Sequence, residues 1–170
     1  MLQYLIIGEY DKAIEYYEKD LKISLNRLGS DHIDVAASYN NLGNIYLNKG
    51  EYDKAIEYYE KDLKISLSKL GYDHISIATS YNNLGNVYQY KGEYDKAIGY
   101  HEKSLKIKLS KLEFEHIGIA NSYNNLGNIY ENKVEYDKAI EYYERSLKIK
   151  LNKLGSDHPE VASSYNNLGF

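Results

Sequence analysis

A five-residue block, Tyr39-Asn40-Asn41-Leu42-Gly43, returns as Tyr81 to Gly85, Tyr123 to Gly127 and Tyr165 to Gly169, always after a step of 42 residues. A second block keeps the same step, with Glu9-Tyr10-Asp11-Lys12-Ala13-Ile14 returning at Glu51 to Ile56, Glu93 to Ile98 and Glu135 to Ile140. A fixed period of this length restricts a chain to repeat architectures, in which each unit buries its apolar face only against its neighbours. Residues 1–170 read as one such array: a partial unit at 1–32, full units at 33–74, 75–116 and 117–158, and a partial unit at 159–170.

Each unit reads as two helices. In the first half Val35, Tyr39, Leu42 and Tyr46 recur three to four residues apart on one face. In the second half Ala55, Ile56, Tyr59, Leu63 and Leu67 form an apolar stripe, while Glu57 with Lys61 and Glu60 with Lys64 stand at i,i+4 on the solvated side. Gly50 lies between the halves, where a helix stop takes a left-handed residue, and Asp53 follows in the next helix's first turn, where the dipole favours an anion. The exit segment Leu154-Gly155-Ser156-Asp157-His158-Pro159-Glu160 combines a glycine stop, capping candidates and a proline suited to a first turn. The fold class is all-α, a solenoid of antiparallel helix-turn-helix hairpins. Val134 occupies the place of Gly8, Gly50 and Gly92. A β-branched residue is strained at positive φ, so this turn is expected either to take another geometry or to make its hairpin the weakest.

The spacing Tyr39-x2-Leu42-Gly43-x2-Tyr46, then Ala55-x3-Tyr59, resembles the tetratricopeptide pattern, with Tyr in place of Trp and Phe. That repeat is about 34 residues long, so each unit here carries about eight more, expected to lengthen the second helix and its exit loop. The long unit resembles the kinesin light chain repeat, through Leu154 to Pro159, Val161-Ala162 and Asn166-Asn167-Leu168. The resemblance implies a right-handed α-solenoid, with the first helix of each unit on the concave side, and an interaction scaffold that holds a protein or peptide. It implies a fold and not a pathway.

On that arrangement the inner stripe of successive units is Ala37, Asn41, Asn44 and Asn48; then Thr79, Asn83, Asn86 and Tyr90; then Asn121, Asn125, Asn128 and Asn132; then Ser163, Asn167 and Phe170. Asn costs about 0.5 kcal/mol against Ala inside a helix, so a ladder of it calls for another reason. A carboxamide both donates and accepts, which suits it to pair with the main chain of an extended peptide whatever the side chains. In kinesin light chains and in the tetratricopeptide arm of the O-linked N-acetylglucosamine transferase, the Asn just before the Leu-Gly or Leu-Ala pair performs this role. Here that position is Asn41, Asn83, Asn125 and Asn167. The competing reading is that Asn40, Asn82, Asn124 and Asn166 bond a neighbouring repeat and fix the stacking. The stripe holds no Lys or Arg, which disfavours a clamp for a terminal carboxylate. Specificity is assigned to residues that break the repeat: Tyr90, Asn121 and Glu131 on inner helices, with His101 or Phe114 outside the groove.

The remaining features exclude other functions. With 21 basic and 25 acidic residues spread along the chain there is no basic patch for a phosphate backbone, so nucleic acid is not an expected partner. The chain has no Cys, which removes disulfides, thiolate metal sites and a Cys nucleophile. Met1 to Ile7 is apolar but short and lacks a basic start, so it is neither a signal peptide nor a membrane span, and a cytoplasmic location is the default. His32, His74, His116 and His158 repeat in a row beside loops and read as capping or loop-packing groups, because catalytic and metal-binding groups must converge. His101, alone on an outer helix, reads as a substitution for tyrosine. No enzyme motif, metal site or cofactor is expected. The 21 tyrosines, against no Trp and two Phe, call for rims or partners for their phenols.

Aligned on the repeat, Met1 to Ile7 match Gly43 to Lys49 and Phe170 falls at the place of Asn44, so the chain is expected to open and close within first helices. Such ends point to a piece of a longer protein or to head-to-tail self-association, with an ordinary monomer with frayed termini as the rival reading. The alternative to a peptide-binding scaffold is a structural or sensor arm that spaces or self-stacks domains.

Overall fold

The computed structural model describes the backbone of residues 2–169 and the side chains of residues 9–169. It contains helices α1 (Leu2–Leu28), α2 (Ile33–Lys49), α3 (Tyr52–Leu70), α4 (Ile75–Tyr90), α5 (Tyr94–Lys111), α6 (Ile117–Asn132), α7 (Tyr136–Leu154) and α8 (Pro159–Asn167), and no strand among the described residues. Consecutive helices pack on one another along the whole chain, most extensively within the hairpins α2/α3, α4/α5 and α6/α7. The result is an all-α helical repeat array.

The apolar periodicity is what drives the pairing. Val35, Leu42, Ala55 and Tyr59 have no exposed surface, and Ile77, Leu84 and Ala97, then Ile119 and Leu126, repeat the pattern downstream. Full burial of a Leu or Ile side chain stabilises by about 1.5–3 kcal/mol, so each hairpin holds a compact hydrophobic contact. Gly43 and Gly127 set the interhelical distance. A Cβ at either would stand 2.6 Å from the ring of Tyr59 or Tyr143, so only glycine lets the facing helix approach so closely. The other tyrosines form rims: Tyr58 stacks on Tyr46 at 5.4 Å, Tyr100 on Tyr88 at 5.5 Å and Tyr142 on Tyr130 at 5.4 Å. Lys61, Lys103 and Arg145 lie over these rings and keep the phenol edges beside solvated charge.

Two glycine replacements are handled in opposite ways. Gly50 takes φ 80, with the Glu51 N–H bonded to the Tyr46 carbonyl at 2.9 Å. Val134 keeps the same left-handed turn, at φ 63, with the Val134 N–H on Glu131 and the Glu135 N–H on Tyr130 at 2.8 and 2.9 Å. The expectation of another geometry there is therefore corrected. The short connection between α6 and α7 leaves no slack, and the Tyr143 ring on Gly127 fixes the angle on both sides. In the longer exit loop after α5, Glu113 replaces the glycine of Gly71 and Gly155, both at φ 83, and the backbone relaxes instead: the helix closes at Leu112 in an extended conformation.

Glu57 and Lys61 pair at 2.6 Å as expected, while Glu60 and Lys64 do not pair. The more regular ion pairs run between units. Lys49 meets Asp11 at 2.8 Å, and Lys69 meets Asp31, Lys91 meets Asp53 and Lys133 meets Asp95 at 2.6 Å each. Asp53, expected to serve the dipole of its own helix, thus also ties its hairpin to the next. Helix α1 runs unbroken through Gly8, so the first helix expected to end there is continuous with the second. Phe170 and the side chains of Met1 to Ile7, on which the head-to-tail register rests, lie outside the described residues.

Candidate functional site

The first helices α4, α6 and α8 are joined side to side by carboxamides. Asn125 Nδ2 donates to Asn82 Oδ1 at 3.1 Å, and Asn167 Nδ2 donates to Asn124 Oδ1 at 2.9 Å. The stacking role weighed for the first Asn of each pair is thus taken at Asn82 and Asn124, and it enlists the second Asn of the following unit as donor. The α2/α4 junction differs. Asn40 donates to Asp62 at 3.4 Å and accepts from Asn44 at 3.1 Å, while Asn41 and Asn83 make no side-chain hydrogen bond among the described residues. A cavity of about 280 Å³ opens there, lined among others by Ala37, Asn40, Asn41, Asp62, Thr79 and Ser80.

The third position of the stripe is reached from behind. Tyr59 Oη donates to Asn44 Oδ1, and Tyr143 Oη to Asn128 Oδ1, each at 2.7 Å. The Glu131 carboxylate lies 2.6 Å from the same oxygen, so the one phenolic proton of Tyr143 is shared between two acceptors. Burial pushes both phenols up from the usual tyrosine value, so they stay protonated donors. In the middle unit the 42-residue step puts His101 in this place. It is wholly buried, both ring nitrogens lack a partner, and Asn86 has no tyrosine hydroxyl behind it. His101 is therefore an interior group of the α4/α5 hairpin, and burial pulls its imidazole down to about 4.

The rest of the stripe is exposed. Asn48, Asn121 and Asn132 face solvent, and Tyr90, 65% exposed, stacks with Tyr52 of the preceding hairpin at 6.1 Å. Phe114 is also exposed, on the loop after α5. The four periodic histidines have structural work: Nδ1 of His32, His74, His116 and His158 accepts the backbone N–H two residues on, at 3.2, 3.2, 3.0 and 3.2 Å, which caps α2, α4, α6 and α8. Among the described residues no three His, Asp or Glu side chains gather as a metal site, and no helix is long and apolar enough to cross a membrane.

Sequence reasoning missed the polar side chains that second helices place beneath the junctions of first helices. Asp62, 4% exposed, accepts from Ser80 at 2.7 Å and Ser66 at 2.9 Å. One unit on, Ser104 replaces the Asp and Lys108 replaces Ser66, and Lys108 Nζ donates to Ser122 Oγ at 2.8 Å. Lys150, in the same register, lies 3.6 Å from Glu160. The signal was present at the 42-residue step: Asp20 and Asp62 give way to Ser104 and Ser146 where Ser24 and Ser66 give way to Lys108 and Lys150.

No curated protein matches the sequence. Solved structures do. BtubC (BKLC) from P. vanneervenii superposes with a TM-score of 0.85 at 29% identity, over 97% of this chain and 66% of that one, so the chain spans just under two thirds of that protein. A chain assigned as a kinesin light chain with nearly identical tetratricopeptide-like repeats, from Podosopora anserina, gives 0.79 at 27% identity over 98% and 82%. The N-terminal domain of stress-induced protein-1 from C. elegans gives 0.59 at 21% identity over 81% and 97%, a likeness of fold alone. The tetratricopeptide repeat model matches residues 2–67, 34–110 and 118–170, and with the paired helices, the glycine-to-tyrosine contacts and the left-handed turns it places the chain in the tetratricopeptide repeat family.

Proposed function

We propose that the chain is an interaction scaffold without catalytic activity, holding an extended peptide segment of a partner protein along α2, α4 and α6. The observation that carries this reading is the carboxamide of Asn83 on α4, which has no side-chain partner among the described residues, together with the open cavity between α2 and α4 that Asn41 lines. A helix surface that gives up propensity for amides, and leaves them unbonded, has donors and acceptors ready for a foreign main chain. Asn86, Asn48, Asn121 and Asn132 extend the same polar track, and Tyr90 offers an exposed ring at its edge. Asn44, Asn125, Asn128 and Asn167 belong to the track as well, with part of their bonding already committed within the array.

Selection of a displayed random-peptide library on the full chain, followed by affinity measurement on one enriched peptide, tests this. Asn41→Ala with Asn83→Ala removes two main-chain contacts at about 1 kcal/mol each, and is expected to weaken binding by about thirtyfold without lowering the melting temperature. Failure to enrich any peptide, or an affinity that ignores both substitutions, sinks the reading.

The rival reading is a spacer arm. The lateral bonds from Asn125 to Asn82 and from Asn167 to Asn124 favour it, because they spend the second Asn on stacking. An array that enriches no peptide, yet unfolds when these amides are removed, fits that reading.

A further inference from the structure

Two charges under the first helices are withdrawn from water with no counter-ion. The Asp62 carboxylate sits at the bottom of the cavity between α2 and α4, held only by the neutral donors Ser66, Ser80 and Asn40. The Lys108 ammonium lies half-buried below α4 and α6 and donates to the Ser122 hydroxyl, with no carboxylate within pairing distance among the described residues. Their counterparts at the two ends are relieved: Asp20 is exposed and Lys150 has Glu160 nearby. Burial pushes the Asp62 carboxyl up from its ordinary value and draws the Lys108 ammonium down. A buried charge without an opposite charge is costly, and a structure that keeps two of opposite sign has a use for them or a source of compensation.

Resting on the peptide-binding reading above, we infer that this floor reads charge: Asp62 receives a basic side chain of the bound segment, and Lys108 an acidic one further along. The occupant is an extended segment of a partner protein, chosen by complementarity to the carboxylate in the α2/α4 cavity and to the half-buried ammonium under the α4/α6 junction. Asp62 and Lys108 lie under successive junctions of first helices, roughly 10 Å apart, which equals about three residues of extended chain. The cavity at Asp62 opens between the Asn41 amide and Thr79, so a Lys or Arg side chain enters beside the main chain that those groups hold. The repeat itself supplies both versions of the floor, Asp with Ser four residues on, and Ser with Lys four residues on, in otherwise equivalent hairpins.

That equivalence provides the test. Asp62→Ser with Ser66→Lys rewrites the first crevice as the second, and Lys108→Ser returns the second towards the first. Each is a side chain that the array already carries at that register. A random dodecapeptide library displayed on phage is selected on the full chain and on both variants, with circular dichroism as the check of folding. The wild type is expected to enrich peptides pairing a basic with an acidic residue about three positions apart. The rewritten first crevice loses the basic preference, and binds the wild-type consensus peptide about tenfold more weakly. Lys108→Ser loses only the acidic preference. Enriched peptides with no charge pairing, or affinities unchanged in both folded variants, overturn this inference and leave the groove standing. A library that yields no binder at all overturns the groove and this inference together.

Discussion

The imidazole of His101 lies against Gly85, where an added Cβ would be 2.7 Å from Nε2. The glycine that admits a tyrosine ring in the hairpins on either side here admits a shorter ring, which ends inside the hairpin with neither nitrogen satisfied. Protonation of that ring in place has nothing to bond the new charge, and burial, joined by the Lys108 ammonium, holds its pKa to about 4, against about 6.5 unfolded. The unfolded chain therefore binds the proton first. Stability rises with pH across about 4 to 6.5 and falls as pH drops through that window, by up to about 3 kcal/mol in total. His101→Tyr restores the residue of the neighbouring units and is expected to flatten that slope and raise the melting temperature, read from thermal melts at pH 4.5 and 7. A slope identical in the two chains rules the mechanism out.

Gly43 and Gly127 meet the rings of Tyr59 and Tyr143, and Gly99 meets nothing within 4 Å. Ala at Gly43 must push a wholly buried ring away from its packed position, at a cost of about 2–3 kcal/mol by overpacking. Ala at Gly99, inside α5, removes only the backbone entropy penalty and stabilises by about 0.5–1 kcal/mol. Urea unfolding of the two single variants is expected to move the midpoint in opposite directions. Movement in the same direction would contradict the close-approach role of Gly43.

Much of this was legible from spacing. The 42-residue step located the helix pairs and put the four periodic histidines beside loops, where His32, His74, His116 and His158 do cap helices. Periodicity says which face of a helix is apolar, and it says little about what faces a polar residue across a hairpin. That is why Glu60 and Lys64 read as a pair and are not one, and why His101 read as an outer-helix substitution although its ring fills an interior slot over Gly85. Asp62 and Lys108 were illegible for the same reason. Each resembles any other charge on a second helix until Ser80 or Ser122 of the following first helix is known to cover it.

Val134 is the one non-glycine residue at positive φ among the described residues. The side chain is 66% exposed, so it packs little in return for the left-handed backbone. A non-glycine residue there costs about 1–2 kcal/mol, part of which glycine gives back as unfolded-state entropy. Val134→Gly is expected to stabilise the array by about 1 kcal/mol, while Gly50→Val or Gly92→Val destabilises by a similar amount. Hydrogen exchange is expected to slow chiefly in α6 and α7 of Val134→Gly. Uniform slowing along the chain would mean that the third hairpin is not the weak one.

Asn83 and Asn125 occupy one repeat position and are bonded differently. Asn125 donates across to Asn82, whereas Asn83 has no side-chain partner, because Asn40 is occupied by Asp62 and Asn44. Asn125→Ala therefore loses a hydrogen bond and strands the Asn82 oxygen, a destabilisation of about 1 kcal/mol offset in part by better helix propensity. Asn83→Ala loses nothing and gains about 0.5 kcal/mol from propensity. Stability and binding are then separable at one position of the repeat: Asn83→Ala weakens a bound peptide without cost to the fold, and Asn125→Ala affects both. Chemical denaturation and peptide titration on the same two variants decide it, since equal stability losses would mean that Asn83 also ties α4 to its neighbour.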